Sequence, residues 1–281
     1  MACAPGSRIG ILMMNSPNIA PYAHRAVLLN YLYAAKHGYG FMVTRCPDAQ
    51  DMDKDWAWDP NNEYVYVWSK ARMLAHALRM FDIVLYIDSD AFVWDFETTI
   101  ESKVRRLMRD DTCMVFAQDC LHQEGCRQDP KGAARVNAGV ILARRSPKMA
   151  EILEHWMQPD KDCAKWKYTH PREQACIDIL RKKHYDDSIR IVPLAELNGS
   201  DGTWIRHYMA TSAQKRHDII GDQLLKRLGE SGSPIGFAPN SRVIVMRQRP
   251  QPMHPAVAAV LVVAAVLLIV VLFRRVRRRA G

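Results

Sequence analysis

The sequence predicts an α/β fold in which helices flank a mostly parallel β-sheet. Apolar runs with the composition of strands alternate along the chain with segments whose apolar residues recur at helical spacing, which is the pattern of strand–helix–strand units. The run Ile83–Ile87 is apolar throughout and rich in β-branched residues, as expected of a strand buried on both faces. The chain has 281 residues, of which 48% are hydrophobic, so it can bury a sizeable core.

The first unit of this fold begins with an apolar strand, Arg8–Asn15. A helical pattern follows from Tyr22 to His37, and Gly38 is the residue type that most often ends a helix. The next strand is predicted at Phe41–Thr44, which completes the unit.

A second helix is predicted at Lys70–Met80 with Ser69 as its N-cap, because its apolar positions recur at helical spacing. The strand Ile83–Ile87 follows. The later elements are predicted as a helix around Thr98–Arg109, strands at Cys113–Ala117 and Val140–Ala143, helices at Pro147–Met157 and Pro171–Lys183, and a strand at Ile189–Val192.

Two carboxylates, Asp88 and Asp90, stand at the end of the strand Ile83–Ile87 with Ser89 between them. Ligands bind at the carboxyl ends of buried parallel strands, and two like charges on one rim repel unless a cation lies between them. A hard divalent cation, which prefers oxygen ligands, meets that need. Because apolar residues follow directly, a metal site is favoured over two aspartates in a solvated turn. Aspartyl-phosphate phosphatases also carry Asp-x-Asp after an apolar strand, but Phe92 stands where their motif has Thr or Val.

The net charge of +9 does not indicate a nucleic-acid partner, because the excess lies near the C-terminus. Eight of the 39 basic residues and no acidic residue follow Glu230, which leaves 31 basic residues against 30 acidic ones before it. The main domain is therefore close to neutral.

The C-terminal region also contains Ala256–Phe273, a segment without any polar residue. As a helix it would be roughly 27 Å long, enough to cross a thin bilayer, whereas a buried core helix rarely lacks every polar side chain. The sequence predicts a catalytic domain at residues 1–228, a linker at 229–254, a single transmembrane helix at 255–274 and a basic tail at 275–281. No secretory signal pattern is visible at the N-terminus.

Seven cysteines are scattered along the chain, an odd number that does not suggest a disulfide framework, so reduced thiols are expected. Cys120, His122 and Cys126 could supply three zinc ligands, but no fourth lies nearby and the spacing matches no common site. Reduced thiols agree with a domain that faces the cytosol.

Six short motifs follow one another along the chain. They are Trp68-Ser69-Lys70, Tyr86–Ala91, Gln118-Asp119, Asn137-Ala138-Gly139-Val140, Glu173-Gln174 and Gly202–His207. In this order and approximate spacing they resemble glycosyltransferase family 34, which contains galactosyl-, xylosyl- and mannosyltransferases of the GT-A fold, a Rossmann-like domain. The resemblance covers roughly Arg8–Arg227.

The resemblance implies retaining transfer of a hexose or pentose from a nucleotide-sugar donor, a UDP- or GDP-sugar, to a hydroxyl of a glycan or glycoprotein acceptor. It places Asp88, Asp90 and His207 on a divalent ion, although His207 could also be an ordinary surface histidine. An ion held by the two aspartates would neutralise the diphosphate leaving group as a Lewis acid. An imidazole ligand among carboxylates suits Mn²⁺ better than Mg²⁺.

The remaining matches imply roles around the donor. Glu173 and Gln174 match the pair that faces the reacting carbon, where Glu173 could act as nucleophile or stabiliser and Gln174 only through its carbonyl dipole. Asn137 would meet sugar hydroxyls, while Gly139 would let the substrate approach. The predicted catalytic residues are Gln174, Glu173 and Asn137, and the predicted donor-binding residues are Lys70, Asn15, Ser89, Gly139, Gln118 and Asp119.

The alternative function is a membrane-tethered protein of the same fold that binds nucleotides or glycans without catalysis. Donor and acceptor specificity would depend on two polar loops, Pro47–Asn62 and Leu121–Arg135. The domain is predicted on the cytosolic side of the membrane, although five arginines after the apolar segment favour the lumenal side. Asn198-Gly199-Ser200 is an N-glycosylation acceptor that would report a lumenal location.

Overall fold

A computed structural model describes residues 6–15, 19–45, 65–119, 135–167, 169–209, 211–230 and 243–246. The strands in this part of the chain are β1 (Ile9–Asn15), β2 (Gly40–Arg45), β3 (Ile83–Ile87), β4 (Ala91–Val93), β5 (Met114–Gln118), β6 (Val136–Arg144), β7 (Ile189–Val192), β8 (Ile205–His207) and β9 (Val243–Met246). The helices are α1 (Ala20–His37), α2 (Ser69–Met80), α3 (Ile100–Leu107), α4 (Pro147–Trp156), α5 (Pro159–Asp162), α6 (Glu173–Leu180), α7 (Leu194–Leu197) and α8 (Ala213–Glu230).

The central sheet has seven strands in the order β7–β5–β6–β3–β1–β2–β9. Strand β6 runs antiparallel to its neighbours β3 and β5, and the other neighbouring pairs are parallel. Strands β4 and β8 form a separate antiparallel ribbon. The predicted α/β fold with a mostly parallel sheet is confirmed.

Helices cover both faces of the sheet, which explains why β3 has no polar alternation. Successive side chains of a strand point to opposite faces. Ile83, Leu85 and Ile87 therefore pack in one hydrophobic cluster with α1 and α3, whereas Val84 and Tyr86 pack in another with α2, α4 and α6. Because β3 is buried along its whole length, its end brings Asp88 to the rim of a tightly packed core.

The start of α2 differs from the prediction. Ser69 is its first residue rather than its N-cap, and the cap position is held by Trp68 without a side-chain hydrogen bond. Trp68 ends a 3-10 helix, Val65–Trp68, and has helical dihedral angles. The two helical segments are therefore continuous, which leaves no extended residue where a serine cap could act.

The strand predicted at Val140–Ala143 begins earlier, at Val136. Asn137 pairs with Ala117 of β5, and the register shifts between Ala117 and the preceding pair. A bulge of this kind bends a strand and redirects its side chains. The motif that begins with Asn137 therefore lies within a bulged strand.

Helix α8 and strand β9 are not among the predicted elements. Val243–Met246 falls in the predicted linker but forms β9, which pairs in parallel with β2. The predicted anchor at 255–274, the loop Pro47–Asn62, residues 121–134 of the second polar loop and the Cys120–Cys126 cluster lie outside the described residues. Within the ranges given above, none of the helices has the length and apolar character needed to span a bilayer.

The expectation of reduced cysteines is wrong for one pair. Cys163, directly after α5, forms a disulfide with Cys176 of α6, and their Cα atoms are 5.2 Å apart. Both residues are buried in the cluster that contains α4 and α6. Their pairing depends on how α5 packs against α6, which the spacing of the cysteines does not reveal.

Candidate active site

The two aspartates and His207 meet at the end of β3. The N–H of Asp88 donates to the carbonyl of Gly139 at 2.8 Å, and the chain then enters β4. Ala91 of β4 pairs with His207 of β8, and the N–H of Tyr208 donates to the carbonyl of Asp90 at 3.0 Å. This ribbon brings His207 beside Asp90 although more than a hundred residues separate them.

These three side chains can hold a divalent cation. One ligand atom from each of Asp88, Asp90 and His207 lies within 4.8 Å of the other two. Nδ1 of His207 is buried and has no hydrogen-bond partner among the described residues, whereas Nε2 lies 2.9 Å from Oδ1 of Asp90. Two carboxylates and one imidazole are a ligand set that Mn²⁺ accepts. The residues therefore fit the predicted ion.

Charged neighbours fix the ionisation of this group. Burial opposes ionisation of Asp90, but His207 and Arg216 outweigh it and lower the pKa of Asp90 to about 2. Arg216 Nη2 lies 2.9 Å from Oδ2 of Asp90. Burial likewise opposes protonation of His207, but the Asp90 carboxylate raises the pKa of His207 above its ordinary value. A cation that binds the imidazole would therefore compete with a proton on His207.

Lys70 is buried and joins two carboxylates. Its Nζ donates to the carbonyl of Ala138 at 2.8 Å and lies 3.2 Å from Oε1 of Glu173 and 3.4 Å from Oδ1 of Asp88. Burial alone would lower the pKa of Lys70. The carboxylates of Asp88 and Glu173 outweigh this effect and raise the pKa above its ordinary value. Burial also raises the pKa of Glu173. Lys70 therefore holds Glu173 next to the aspartates through three contacts that use its three donors.

Gln174, the next residue along α6, is held in a different network. Its Oε1 accepts from the N–H of Ala138 at 3.0 Å, and its Nε2 donates to Oδ2 of Asp119 at 3.2 Å. Asn137 Nδ2 donates to the other oxygen of Asp119 at 3.1 Å. Burial raises the pKa of Asp119. The side-chain amide of Gln174 therefore has one orientation, because only its oxygen can accept from Ala138.

The first two residues of α6 reach two different pockets. A pocket of about 230 Å³ is lined by Lys70, Asp88, Asp90 and Glu173 together with Ser89. A second pocket, of about 420 Å³, is lined on one side by residues that include Asp119, Trp166, His170, Gln174 and Lys182. Glu173 thus faces the metal-binding residues, while Gln174 faces the neighbouring pocket.

Three of the predicted donor-binding residues, Asn15, Ser89 and Gln118, lie at different distances from the metal-binding group. Ser89 Oγ donates to the carbonyl of Met14 at 2.9 Å and lies within hydrogen-bonding distance of Asn15 Oδ1, so it ties the Asp88–Asp90 turn to the end of β1. Gln118 ends β5 and lines neither pocket. The structure therefore brings Asn15 and Ser89 to the metal-binding group but leaves Gln118 at the margin.

Gly139 is required by close packing. A Cβ atom on this residue would lie 2.2 Å from Cε1 of His207. We expect Gly139→Ala to displace the imidazole, raise the Mn²⁺ concentration needed for half-maximal activity by about tenfold, and destabilise the domain by about 1–3 kcal/mol. Metal titrations of activity and thermal unfolding measure both effects.

The matched control is Gly229→Ala, because a Cβ at Gly229, in α8, would meet nothing within 4 Å. Alanine in a helix is favoured over glycine, so this variant should keep the metal requirement and gain slight stability. Equal metal requirements for Gly139→Ala and the unmodified protein would contradict the assigned role of Gly139.

The sequence reasoning missed two residues of this site. Arg216 of α8 binds Asp90, and its Nε donates to the carbonyl of Tyr208 at 2.9 Å. The Tyr86 hydroxyl donates to Oδ1 of Asp88. Tyr86 could have been found from its position two residues before Asp88 on the same strand face. Arg216 could have been found only through the helical spacing of the apolar residues in α8, since it lies beyond the recognised motifs.

Comparison with known proteins identifies similar sequences and folds. The model of the galactosyl transferase GMA12/MNN10 family matches residues 11–201. A crystal structure of a glycosyltransferase involved in glycosylation of the major capsid of PBCV-1 has 18% identity and a TM-score of 0.56, and covers 76% of this chain and 99% of that one. This likeness shows the fold.

Other matching structures are more distant. A galactosyltransferase LgtC in complex with donor and acceptor sugar analogues has 17% identity and a TM-score of 0.47, with 76% of this chain and 95% of that chain covered. Mouse xyloside xylosyltransferase 1 has 12% identity and a TM-score of 0.45, with coverages of 72% and 98%. A search of curated proteins found no match.

Proposed function

Because this chain belongs to the galactosyl transferase GMA12/MNN10 family of nucleotide-sugar glycosyltransferases, we propose that it transfers a hexose or pentose from a UDP- or GDP-sugar to a glycan hydroxyl, with retention of the anomeric configuration and with Mn²⁺ or Mg²⁺ as cofactor. The observation that carries the proposal is the convergence of Asp88, Asp90 and His207 beside a pocket that both aspartates line together with Glu173 and Lys70. Carboxylates and a buried cation side by side suit a metal-bound diphosphate.

A bound divalent cation would supply the charge that stabilises the departing nucleoside diphosphate. Arg216 keeps Asp90 ionised, and Lys70 holds Asp88 and Glu173 in fixed positions, so the ligands need little reorganisation when the donor binds. Lys70 is buried and hydrogen-bonded within the protein rather than free to reach a phosphate. Its role in this proposal is to position the carboxylates.

Glu173 and Gln174 would act differently at the reacting centre. The Glu173 carboxylate is paired with Lys70, which lowers its nucleophilicity. Gln174 has an amide fixed by Ala138 and Asp119, and its carbonyl oxygen retains a second lone pair that could stabilise an oxocarbenium-like centre. These contacts favour a same-face displacement over a covalent intermediate. The acceptor would enter from the pocket that Gln174 lines.

Two substitutions separate these roles. We expect Gln174→Ala to lower turnover by about 10- to 100-fold with little change in donor or metal affinity, because it removes an interaction that is stronger in the transition state. His207→Ala should instead raise the Mn²⁺ requirement by about 10- to 100-fold. Initial rates over a grid of donor and Mn²⁺ concentrations measure both effects, with the surface variant His217→Ala as control. The reverse pattern would mean that the two roles are misassigned.

The proposed function itself is tested by titrating UDP and GDP into the protein with and without Mn²⁺. Metal-dependent binding of one nucleotide, followed by transfer from the corresponding sugar, is expected, and NMR of the product gives its anomeric configuration. Nucleotide binding without any release of nucleoside diphosphate from a panel of sugars would favour the non-catalytic alternative. A phosphorylated Asp88 without any need for a nucleoside would favour the phosphatase.

The C-terminal anchor and a cytosol-facing domain remain predictions from sequence. The Cys163–Cys176 disulfide favours the opposite side, because disulfides persist in oxidising compartments. Asn198 cannot serve as the glycosylation reporter of the folded domain, since its side chain is fully buried and bonded to Asn137 Oδ1. Protease added to intact microsomes separates the two locations: digestion of the domain supports the cytosolic side, and protection contradicts it.

A further inference from the structure

We propose that His155, Asp162 and His184 form a second metal site, structural in role, that takes Zn²⁺ or a similar transition-metal ion. The three residues come from separate segments: His155 from the end of α4, Asp162 from the end of α5, and His184 from the π-helix Arg181–Tyr185 that follows α6. One ligand atom from each lies within 4.8 Å of the other two.

The distances are close to those of a zinc site. Nε2 of His155 lies 2.8 Å from Oδ2 of Asp162, and Nε2 of His184 lies 3.7 Å from the same oxygen. In a tetrahedral site with metal–ligand bonds of about 2.0–2.1 Å, neighbouring ligand atoms are about 3.3 Å apart. Because the observed distances lie on either side of that value, small side-chain rotations complete the geometry.

The surrounding side chains hold the ligands in the required state. Nδ1 of His155 lies 3.1 Å from the Tyr185 hydroxyl. When that hydroxyl oxygen accepts from Nδ1–H, Nε2 of His155 presents its lone pair to a metal. The other oxygen of Asp162 accepts from Lys183 Nζ at 3.0 Å. Such outer contacts are a regular feature of histidine–metal sites.

The backbone conformation also supports a metal site at these three residues. A π-helix contains one extra residue per turn compared with an α-helix, which rotates the side chains that follow, and such segments are frequent at functional sites. Here it leaves Tyr185 buried and the side chain of His184 42% exposed. The exposed side leaves a fourth position for water. Two imidazoles and one carboxylate favour Zn²⁺, Ni²⁺ or Cu²⁺ over Mg²⁺ or Ca²⁺.

The ion would stabilise the part of the fold that carries Gln174. Asp162 immediately precedes Cys163, whose disulfide partner Cys176 lies in the first turn of α6 with Gln174. A metal bound by α4, α5 and the π-helix would therefore act together with the disulfide to fix α6. This role is independent of the proposed sugar transfer.

The test is a Zn²⁺ titration of the full-length chain by calorimetry, with bound metal counted after dialysis. The variants are His184→Ala, whose exposed side chain should be dispensable for folding, Asp90→Asn, which weakens the other metal group, and the surface control His217→Ala. We expect one zinc ion to be lost from His184→Ala, with affinity at least about tenfold weaker. Asp90→Asn and His217→Ala should keep that ion.

A second measurement follows thermal unfolding of Asp90→Asn, in which the other metal group is weakened. Zn²⁺ at about 100 times its dissociation constant should raise the melting temperature of this variant by about 5–10 °C, and Mg²⁺ should not. Binding to His184→Ala as tight as to the unmodified chain, or loss of all zinc from Asp90→Asn alone, would overturn the proposal. Either result would leave His155 and Asp162 as an ordinary ion pair.

Discussion

Replacing Asp90 with asparagine is expected to lower sugar transfer by about two to three orders of magnitude. The Asp90 carboxylate pairs with the side chains of both His207 and Arg216. Without its charge, the site loses a ligand and the Arg216 guanidinium repels a divalent ion. Loss of a metal ligand removes several kcal/mol of transition-state stabilisation, and about 1.4 kcal/mol corresponds to tenfold in rate.

The matched control is Asp95→Asn. Asp95 accepts hydrogen bonds from the N–H of Glu97 at Oδ1 and from the hydroxyl of Thr98 at Oδ2, and it lines neither pocket of the site. In asparagine the oxygen can accept from Glu97, and the amide nitrogen can donate to the Thr98 hydroxyl instead. We expect Asp95→Asn to keep nearly full activity. Initial rates at saturating donor and Mn²⁺ distinguish the two variants, and an Asp90→Asn rate within about threefold of the unmodified enzyme would contradict the metal assignment.

The pKa of Asp90 also predicts a pH window. Its pKa falls from 3.8 to about 2 in the folded protein, so its contribution to stability is complete above about pH 4 and is lost as the pH falls towards 2. The carboxylate therefore stays ionised at every working pH. Activity lost between pH 5 and 8 should not be attributed to Asp90.

Replacing Lys70 with methionine should give the largest loss of stability. The substitution leaves two carboxylates, Asp88 and buried Glu173, without their shared cation. Breaking a buried ion pair on one side costs about 3–5 kcal/mol. For a domain of this size that corresponds to a fall in melting temperature of about 6–20 °C. Thermal unfolding, followed by circular dichroism, measures the change.

The deficit of Lys70→Met should depend on pH. Burial raises the pKa of Glu173, and loss of Lys70 raises it further. A carboxyl whose folded pKa lies above its unfolded value costs stability as the pH rises through that range. The deficit should therefore be smaller at pH 5 than at pH 8.

The control for this substitution is Lys36→Met, which removes an exposed pair with Glu97 and should cost less than about 1 kcal/mol. If Lys70→Met costs no more than Lys36→Met at pH 8, Lys70 does not hold the two carboxylates together in the folded protein.

The part of the site that lies on one strand could be predicted from sequence. The uninterrupted apolar run of β3 indicates burial on both faces, and its end places Asp88 and Asp90 at the ligand-binding edge of the sheet. His207 is predicted only through the resemblance. Its position depends on the pairing of β4 with β8, which no local periodicity shows.

Other features depend on long-range contacts. The Arg216–Asp90 pair requires α8 to pack near the end of β3, and the Cys163–Cys176 disulfide requires α5 to pack on α6. The sequence motif at Asn198 predicts a surface residue, but its side chain is buried against Asn137 because it completes the polar network there. Motifs describe neighbouring residues, whereas these contacts join distant ones.

We propose that Asp88, Asp90 and His207 hold the cation that sugar transfer requires. Release of nucleoside diphosphate from a panel of UDP- and GDP-sugars tests it most directly, when it is measured after removal of metal and again after addition of Mn²⁺. We predict that release from one donor stops without metal, returns with Mn²⁺, and stays at background in Asp90→Asn. Release that continues unchanged after chelation and in Asp90→Asn would contradict the claim.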